Sequence, residues 1–468
     1  MNTNANRQIL KCRDDYKPVY FVNDDENTTD SQAFTLIDGS TCSWAKQDET
    51  FRPEKLRSRI EPWLTSLCQS EHLSLLMGSG LSHAVYRLGT GNPLSGMSMV
   101  DFSGFKDVID PEAIKSAQAS GRSQGNIEDQ IRVANELLRG LEILGLRDEK
   151  GSLKADALRE KLKKVLEGFA ACILMGEHDF ITSDESSREI AFNYLVSFLM
   201  SFASRTGTRD RLHIFTTNYD RFIEAGAETA GLHLLDRFVG TLAPIFRSSR
   251  LDLDMHYNPP GIRGEPRYLE GVARFTKLHG SLDWVDCKHS IRRVNVPFGA
   301  DNVKPYLNLD GASTANVMQL MIYPNAAKDR ETAAYPYVEL FRDLAASVCR
   351  PNNTLISFGY SFGDEHINRI IEDMLTIPST HLVVISYSDP LGRIMKTYER
   401  LGRHAQISLL IGDHIGEFKA LVDHYLPKPA IDRTTFRMAE LLKARWATGS
   451  GNSDGKTGEA LSPEGSES

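Results

Sequence analysis

The sequence predicts an α/β protein with a Rossmann-like, doubly wound parallel sheet and an inserted helical subdomain. From Leu212 onward, short apolar runs typical of buried strands alternate with amphipathic segments typical of helices, which is the pattern of a parallel sheet with helical crossovers. Between residues 126 and 205, apolar residues recur instead at helical spacing, for example at Ile127, Ile131 and Ala134. The second pattern predicts a block of helices beside the sheet.

The elements are predicted in chain order. Residues 1–68 mix polar and aromatic residues around strand-like runs at 19–22 and 34–36, and we interpret them as an N-terminal arm. The run at 73–77 predicts the first strand of the main domain, 69–425, and the helical insertion covers about 105–205 with Asn126 as a helix cap. Further strands are predicted at 212–216, 274–278, 319–323, 354–359, 382–386 and 406–411, and helices at 220–230, 334–349, 364–377, 390–401 and 415–425. The chain is expected to end in a helix at 426–446 and a disordered tail at 447–468, where apolar residues are scarce.

Composition limits the function classes. The chain has 468 residues, and 54 Lys+Arg against 62 Asp+Glu give a net charge of −8. This charge does not favour sequence-independent binding of nucleic acid over the whole surface, and it leaves a local basic patch open. No apolar stretch approaches the roughly 20 residues that span a bilayer. The six cysteines follow no pattern, and no CxxC pair is present, which predicts reduced thiols and no metal site. We therefore expect a cytoplasmic protein that does not enter a membrane.

Glycine and hydroxyl residues follow two of the predicted strands. Backbone amides at such strand-to-helix turns can approach a phosphate closely, although an ordinary tight turn explains a single glycine-rich segment equally well. The candidates for binding a dinucleotide at these two turns are Gly78, Ser79, Gly80, Ser82, Gly359, Ser361 and Asp364. Because carboxyl ends of parallel strands meet at one edge of a sheet, both turns are expected at the same ligand site.

Two further strand ends carry side chains suited to chemistry. Asn218 offers a hydrogen-bond donor and an acceptor, which suits ribose hydroxyls and a water, although Asx residues also begin helices and turns. Asp220 in the same segment fits a helix cap as well as a ligand contact. His279 precedes a glycine, and histidine is the side chain that ordinarily changes its charge near neutral pH. It fits a general base as well as a histidine with one hydrogen bond at the edge of the core.

In combination, these segments resemble the motifs of the sirtuin family. Sirtuins carry GAGxS, TQNxD, HG and GTSL in this order, and the corresponding segments here are Gly78-Ser79-Gly80-Leu81-Ser82, Thr216-Thr217-Asn218-Tyr219-Asp220, His279-Gly280 and Gly359-Tyr360-Ser361-Phe362. The resemblance implies that NAD⁺ is bound, that Asn218 and His279 are catalytic, and that Thr217 and Asp220 contact the cofactor. Ser386 stands where sirtuins have an asparagine that contacts adenosine.

Departures from the sirtuin pattern narrow the expected activity. Only Cys287 and Cys349 follow His279, so the thiolate zinc module of the deacetylases has no ligands here, and Thr217 replaces a glutamine. The chain resembles the zinc-free sirtuin-like NADases of bacterial antiphage defence. That resemblance implies hydrolysis of NAD⁺ to nicotinamide and ADP-ribose, a homo-oligomer, and pairing with a HerA-type ATPase.

Two alternatives remain open. A protein ADP-ribosyltransferase or deacylase would need a channel for its acceptor, and a non-enzymatic ADP-ribose-binding scaffold would not need the general base His279.

A separate segment, Glu177-His178-Asp179, superficially resembles an HD-type phosphohydrolase site, but further ligands at the required spacing are missing. We expect those three residues at the surface.

Overall fold

A computed structural model describes residues 7–24, 32–119, 122–146, 149–205, 209–249, 254–257, 267–287, 290–307 and 335–429. The described chain up to Pro427 belongs to one compact unit. The strand predicted at 319–323 and the tail at 447–468 lie outside the described residues, and so does the predicted C-terminal helix from residue 430 onward.

The described elements are sixteen strands and eleven α-helices. Strands β1 to β16 span Arg7–Lys11, Val19–Asn23, Phe34–Leu36, His72–Met77, His213–Thr216, His233–Leu235, Phe238–Val239, Ile245–Phe246, His256–Tyr257, Arg267–Tyr268, Val272–Lys277, Trp284–Asp286, Ile291–Arg293, Asn353–Phe358, His381–Ser386 and Ile407–Ile411. Helices α1 to α11 span Pro53–Cys68, Ser79–Thr90, Lys106–Ala119, Ile127–Gly145, Glu149–Ile181, Glu185–Ala203, Phe222–Thr229, Tyr337–Val348, Glu365–Leu375, Arg393–Leu401 and Phe418–Ala420.

A ten-stranded sheet organises the molecule, in the order β3-β2-β1-β16-β15-β14-β4-β5-β11-β6. Neighbouring strands from β16 to β6 are parallel, and helices cover both faces. Parallel strands that are buried on both faces have continuous apolar sequences. For this reason β4, β14 and β15 coincide with the strands predicted from apolar runs. The predicted fold class is confirmed.

The N-terminal segment is part of this sheet. Strand β1 pairs antiparallel with β16, and β2 and β3 continue the sheet outward. Phe21 and Phe34 are fully buried and pack edge to face with ring centroids 5.4 Å apart. These two aromatic side chains of the segment interpreted as an N-terminal arm therefore lie in the protein's own core.

The helical block consists of α3 to α6. Asn126 caps α4, since its side chain accepts from the backbone N–H of Asp129 at 2.9 Å and the Asp129 carboxylate accepts in return from the Asn126 N–H at 3.0 Å. The predicted cap is confirmed. Buried side chains of α4 and α5 such as Ile131 and Leu162 form a second hydrophobic core beside the sheet. No helix in the described ranges is long and apolar enough to cross a membrane.

Candidate active site

One cavity of about 1440 Å³ lies at the carboxyl ends of β4, β5, β11 and β14. The facing wall comes from the helical block, with Ser116 of α3, Ile127 of α4 and Phe169 of α5 among its lining residues. The predicted site residues that line the cavity are Gly78, Ser79, Ser82, Thr217, Asn218, Asp220, His279, Gly359, Ser361 and Asp364. The cavity thus brings together four segments that are up to about 280 residues apart in the sequence, at the edge where open α/β sheets bind ligands.

Gly80 and Ser386, also predicted to bind the cofactor, are not among the lining residues. Gly80 donates its N–H to the Gly359 carbonyl at 3.1 Å, and a Cβ on Gly80 would lie 2.6 Å from the Gly359 Cα. Gly359 itself has a φ of +61°, which favours glycine. The glycine at position 80 therefore allows two turns to pack closely. Ser386 is buried, and its hydroxyl donates to the Ser388 carbonyl at 2.9 Å.

Asn218 is fixed at the end of β5 by hydrogen bonds from its amide nitrogen. Its Nδ2 donates to the Gly78 carbonyl at 3.0 Å and to the Ser82 Oγ at 2.9 Å. The Ser82 hydroxyl donates onward to Asp220 Oδ2 at 2.7 Å, and Asp220 Oδ1 accepts from the Phe222 N–H at 3.3 Å where α7 begins. Asp220 thus binds the first N–H of α7 and also lines the cavity, although the N-cap position itself belongs to Arg221. Ser82 therefore connects the glycine turn at 78–82 with the segment 216–220 that carries Asn218 and Asp220.

His279 lies at the end of β11 with 21% of its side chain exposed. Its Nε2 is 2.9 Å from Asp364 Oδ2, and Oδ1 of the same carboxylate accepts from the His366 N–H at 3.0 Å at the start of α9. The residue expected to hold the adenosine ribose or a phosphate thus orients the histidine. The contact joins residues 85 positions apart, so motif reading could not find it.

Lys277 supports the loop that carries Asn218 and Asp220. Its side chain is almost fully buried, and Nζ donates to the Asp220 carbonyl at 2.6 Å and to Glu224 Oε1 at 2.9 Å. Burial raises the pKa of Glu224 against the opposing effect of Lys277. Sequence reasoning treated Lys277 only as a strand residue preceding His279, because its partners become neighbours only when β5 and β11 pair.

Glu177 is completely buried on α5, so the expectation of a surface position was wrong. Its Oε1 accepts from the Arg221 backbone N–H at 2.8 Å, and its Oε2 accepts from the Arg221 guanidinium. Burial raises the pKa of Glu177 to about 7, although the neighbouring Arg221 opposes this shift. The ion pair connects α5 with Arg221, the residue that directly follows Asp220. The helical spacing of residues around Glu177 did not predict that this glutamate pairs with Arg221.

Tyr219 connects the helical block with the strand ends. Its hydroxyl donates to Glu128 Oε1 of α4 at 3.3 Å, and its ring centroid lies 6.3 Å from that of His279. Burial raises the pKa of Tyr219 well above its ordinary value, so the phenol keeps its proton. Thr217 is half-buried beside it, and its N–H donates to the Met77 carbonyl at 3.1 Å.

All six cysteines are free thiols. Within the described ranges, no cluster of three or more His, Cys, Asp or Glu side chains is arranged to hold a metal ion.

Residues 212–409 match the family model of the SIR2-like domain. The matched range contains Asn218, His279 and Asp364, whereas the glycine turn at 78–82 and the helical block precede it. No curated protein matches the chain. SIR2-like domains bind NAD⁺ and are generally NAD-dependent enzymes. This part of the chain therefore has a sirtuin-like fold, and the fold connects the cavity with NAD-related chemistry.

Proposed function

We propose that this protein hydrolyses the nicotinamide–ribose bond of NAD⁺ to give nicotinamide and ADP-ribose. The observation that carries the proposal is the pair of oriented side chains at the ends of two adjacent strands. Asn218 follows β5 and His279 follows β11, and both line one cavity. Asn218 supplies a fixed amide that binds the ribose, and His279 supplies a base that takes a proton from the attacking water.

The contact with Asp364 sets the chemistry of His279. A carboxylate only accepts hydrogen bonds, so the proton of a neutral imidazole lies on Nε2, where it is donated to Asp364 Oδ2. Nδ1 then carries the lone pair and can take a proton. No described residue contacts Nδ1 by a hydrogen bond, so this nitrogen is the one that can accept from a water in the cavity. Asp364 is a positioning residue in this scheme.

Asn218 is oriented in a comparable way. Both hydrogens of its amide are used, one by the Gly78 carbonyl and one by the Ser82 hydroxyl. The amide oxygen has no hydrogen-bond partner within the described residues, and it is therefore the atom that can accept from a ribose hydroxyl. A side chain whose orientation is already fixed holds the ribose without a further loss of rotamer entropy.

The reaction needs few further groups. Nicotinamide in NAD⁺ carries a positive charge on the ring nitrogen, so the C1′–N bond breaks with both electrons going to the ring, which leaves as a neutral molecule. Water forms the new C1′–O bond and gives its proton to His279 Nδ1. The ribose carries positive charge in the transition state, and the Asn218 amide oxygen adds a fixed partial negative charge at the ribose.

Product analysis with purified protein tests the proposal. We expect nicotinamide and ADP-ribose in equal amounts, and His279→Ala should lower turnover by roughly 10² or more, the usual contribution of a positioned base. His233→Ala is a matched control, since His233 is exposed on β6. Equal rates for His279→Ala and the wild type under conditions where the wild type is active would contradict the proposed base.

The alternatives give different products. A protein ADP-ribosyltransferase would release nicotinamide while ADP-ribose appears on protein, and a deacylase would consume NAD⁺ only with an acylated peptide. A non-enzymatic scaffold would bind ADP-ribose and leave NAD⁺ intact. Chromatography of the nucleotides, combined with intact-protein mass spectrometry, separates these three outcomes from hydrolysis.

The resemblance to antiphage NADases supplies the biological part of the proposal. Depletion of NAD⁺ during phage infection would stop phage replication, and such an enzyme must stay inactive until it is triggered. We therefore include control through a homo-oligomer and through a HerA-type ATPase in the proposal. Light scattering of the protein alone gives its mass, and NAD⁺ cleavage with and without the ATPase tests whether the partner changes the rate.

A further inference from the structure

Three arginines line the cavity, and two of them, Arg122 and Arg393, are close enough for their charges to interact. Arg393 is the first residue of α10, which follows β15, and Arg122 precedes α4. Neither belongs to a motif that pointed to NAD⁺. In the sheet, β15 lies beside β14, on the far side of β4 from the strands that carry Asn218 and His279. Arg393 therefore follows a different strand from Asn218 and His279, and it borders the turn after β14 that also carries Asp364.

The Arg393 guanidinium is buried in part without a partner. Its Nε is inaccessible to solvent and has no hydrogen-bond partner in the part of the chain that the structure describes. Its Nη1 occupies the space beside Gly363 that a larger side chain would fill, since a Cβ on Gly363 would lie 2.5 Å from this nitrogen. The same Cβ would lie 3.5 Å from Ser361 Oγ. The glycine thus leaves space for this guanidinium beside the turn after β14.

The electrostatic environment of Arg393 is unfavourable in the absence of an anion. Burial and the nearby positive charge of Arg122 lower the pKa of Arg393, and the negative charge of Asp389 opposes them in part. Arg122 has a carboxylate partner of its own, Asp129 at 2.7 Å. The two like charges disfavour this arrangement, and an anion bound in the cavity beside both guanidinium groups would remove that penalty. Guanidinium groups match phosphate oxygens in geometry and in charge.

The acidic residue near the end of β15 is occupied elsewhere. Asp389 Oδ1 accepts from the Ile394 N–H at 3.2 Å, and Oδ2 accepts from the Met395 N–H at 3.0 Å, so its carboxylate holds the start of α10. In α/β folds that bind dinucleotides, a free carboxylate at such a place receives the hydroxyls of the adenosine ribose, whereas an arginine accommodates a phosphate there.

We propose that Arg393 and Arg122 form a subsite for a phosphate monoester on the adenosine ribose, so that the cavity accepts the 2′-phosphorylated dinucleotide NADP⁺ as well as NAD⁺. The proposal rests on the proposed function, because the position of the adenosine end follows from placing the nicotinamide ribose beside Asn218 and His279. It adds the substrate class at the other end of the same cavity.

Calorimetric binding of reaction products tests the subsite without catalysis. The probes are ADP-ribose and 2′-phospho-ADP-ribose, which differ only in the phosphate. We expect the phosphorylated probe to bind about 10-fold or more tightly, the usual effect of charge-assisted hydrogen bonds. Arg393→Gln and Arg122→Gln should remove most of this difference and leave the affinity for ADP-ribose within about 3-fold, whereas Arg393→Lys should keep part of it because the charge remains.

Arg400→Gln is the matched control. Arg400 lies on the same helix, and 53% of its side chain is exposed in an ion pair with Glu372 outside the cavity. The control should preserve the preference for the phosphorylated probe, and thermal melting of all variants excludes misfolding as the cause of a loss. Equal wild-type affinity for the two probes overturns the subsite. A similar loss for both probes in Arg393→Gln also overturns it, because the arginine would then bind the shared diphosphate.

The two proposals fail separately. A preference for 2′-phospho-ADP-ribose that depends on Arg393, in a protein that cleaves neither dinucleotide, supports the subsite and contradicts the hydrolysis. Cleavage of NAD⁺ together with equal binding of the two probes supports the hydrolysis and contradicts the subsite.

Discussion

The two ends of the cavity differ in how their polar groups are satisfied. At the first end, side chains bind one another: Asn218 contacts Ser82, and His279 contacts Asp364 of the turn after β14. At the second end, where α10 begins, the Arg393 Nε lacks a partner among the described residues. The first end is organised without a ligand, and under the proposed subsite the second is completed by the charge of a ligand. Substitutions at the first end should therefore change the rate or the stability, and substitutions at the second should change which ligand binds.

The largest expected effect concerns the support of the organised end. Glu177→Ala leaves the buried Arg221 guanidinium without its carboxylate, and breaking such a pair typically costs about 3–5 kcal/mol. We expect the free energy of unfolding in urea to fall by this amount. Glu160→Ala is the control, because Glu160 is exposed on the same helix and surface substitutions stay within about 0.5 kcal/mol. Equal stability of the two variants would mean that the buried pair is not needed to hold the loop.

Asp364→Asn tests the orientation of His279. The amide of asparagine still caps α9 but can also donate to Nε2, so the imidazole loses its fixed tautomer. We expect kcat to fall by roughly 10² with KM changed by less than about 3-fold, since positioning of the base affects the chemical step. Steady-state kinetics of NAD⁺ cleavage decide this. A variant with wild-type kcat would leave Asp364 only its capping role.

Ser82→Ala should have a smaller effect on the same end. The substitution removes the hydroxyl that joins Asn218 to Asp220, while the Gly78 carbonyl still receives one Asn218 hydrogen. Loss of one such hydrogen bond corresponds to about 1 to 1.5 kcal/mol, or roughly 10-fold in kcat/KM. The double variant with Asn218→Ala should lose no more than Asn218→Ala alone, because the two residues act together. Additive losses in this cycle would show that Ser82 contacts the substrate independently.

Tyr219→Phe should have the smallest effect. It removes only the hydroxyl that donates to Glu128, at a distance of 3.3 Å, and keeps the ring beside His279. We expect a change in KM of about 5-fold or less, in line with a net hydrogen-bond contribution near 1 kcal/mol. A fall in kcat of two orders of magnitude would instead place the phenol in the chemical step.

Sequence patterns predicted the parallel part of the sheet because its strands are buried on both faces and read as continuous apolar runs. The N-terminal strands were harder to place. In β2 and β3, buried residues such as Phe21 and Phe34 alternate with less buried ones. These strands join the main sheet only through β1, whose partner β16 is about 400 residues away in the sequence. A short alternating run does not reveal whether it lies in the protein's own sheet or on its surface.

The candidate site shows a similar division. Asn218 and His279 were found because each belongs to a short motif at a strand end. The contacts that orient them, or hold their loop, join distant residues such as Glu177 with Arg221, and no local pattern contains that information. Gly80 illustrates the opposite case. Its motif pointed to a ligand, whereas its lack of a side chain is required by the neighbouring Gly359.

Helix α5 reaches far beyond the ion pair at Glu177. It spans Glu149–Ile181, and at 1.5 Å per residue its outer end lies about 40 Å from Glu177. Near that outer end, Leu153 has 66% of its surface exposed. Buried residues along the length between these two points, such as Leu158 and Leu166, pack in the second hydrophobic core together with α4. One continuous packed helix therefore connects the loop that positions Asn218 with a surface about 40 Å away.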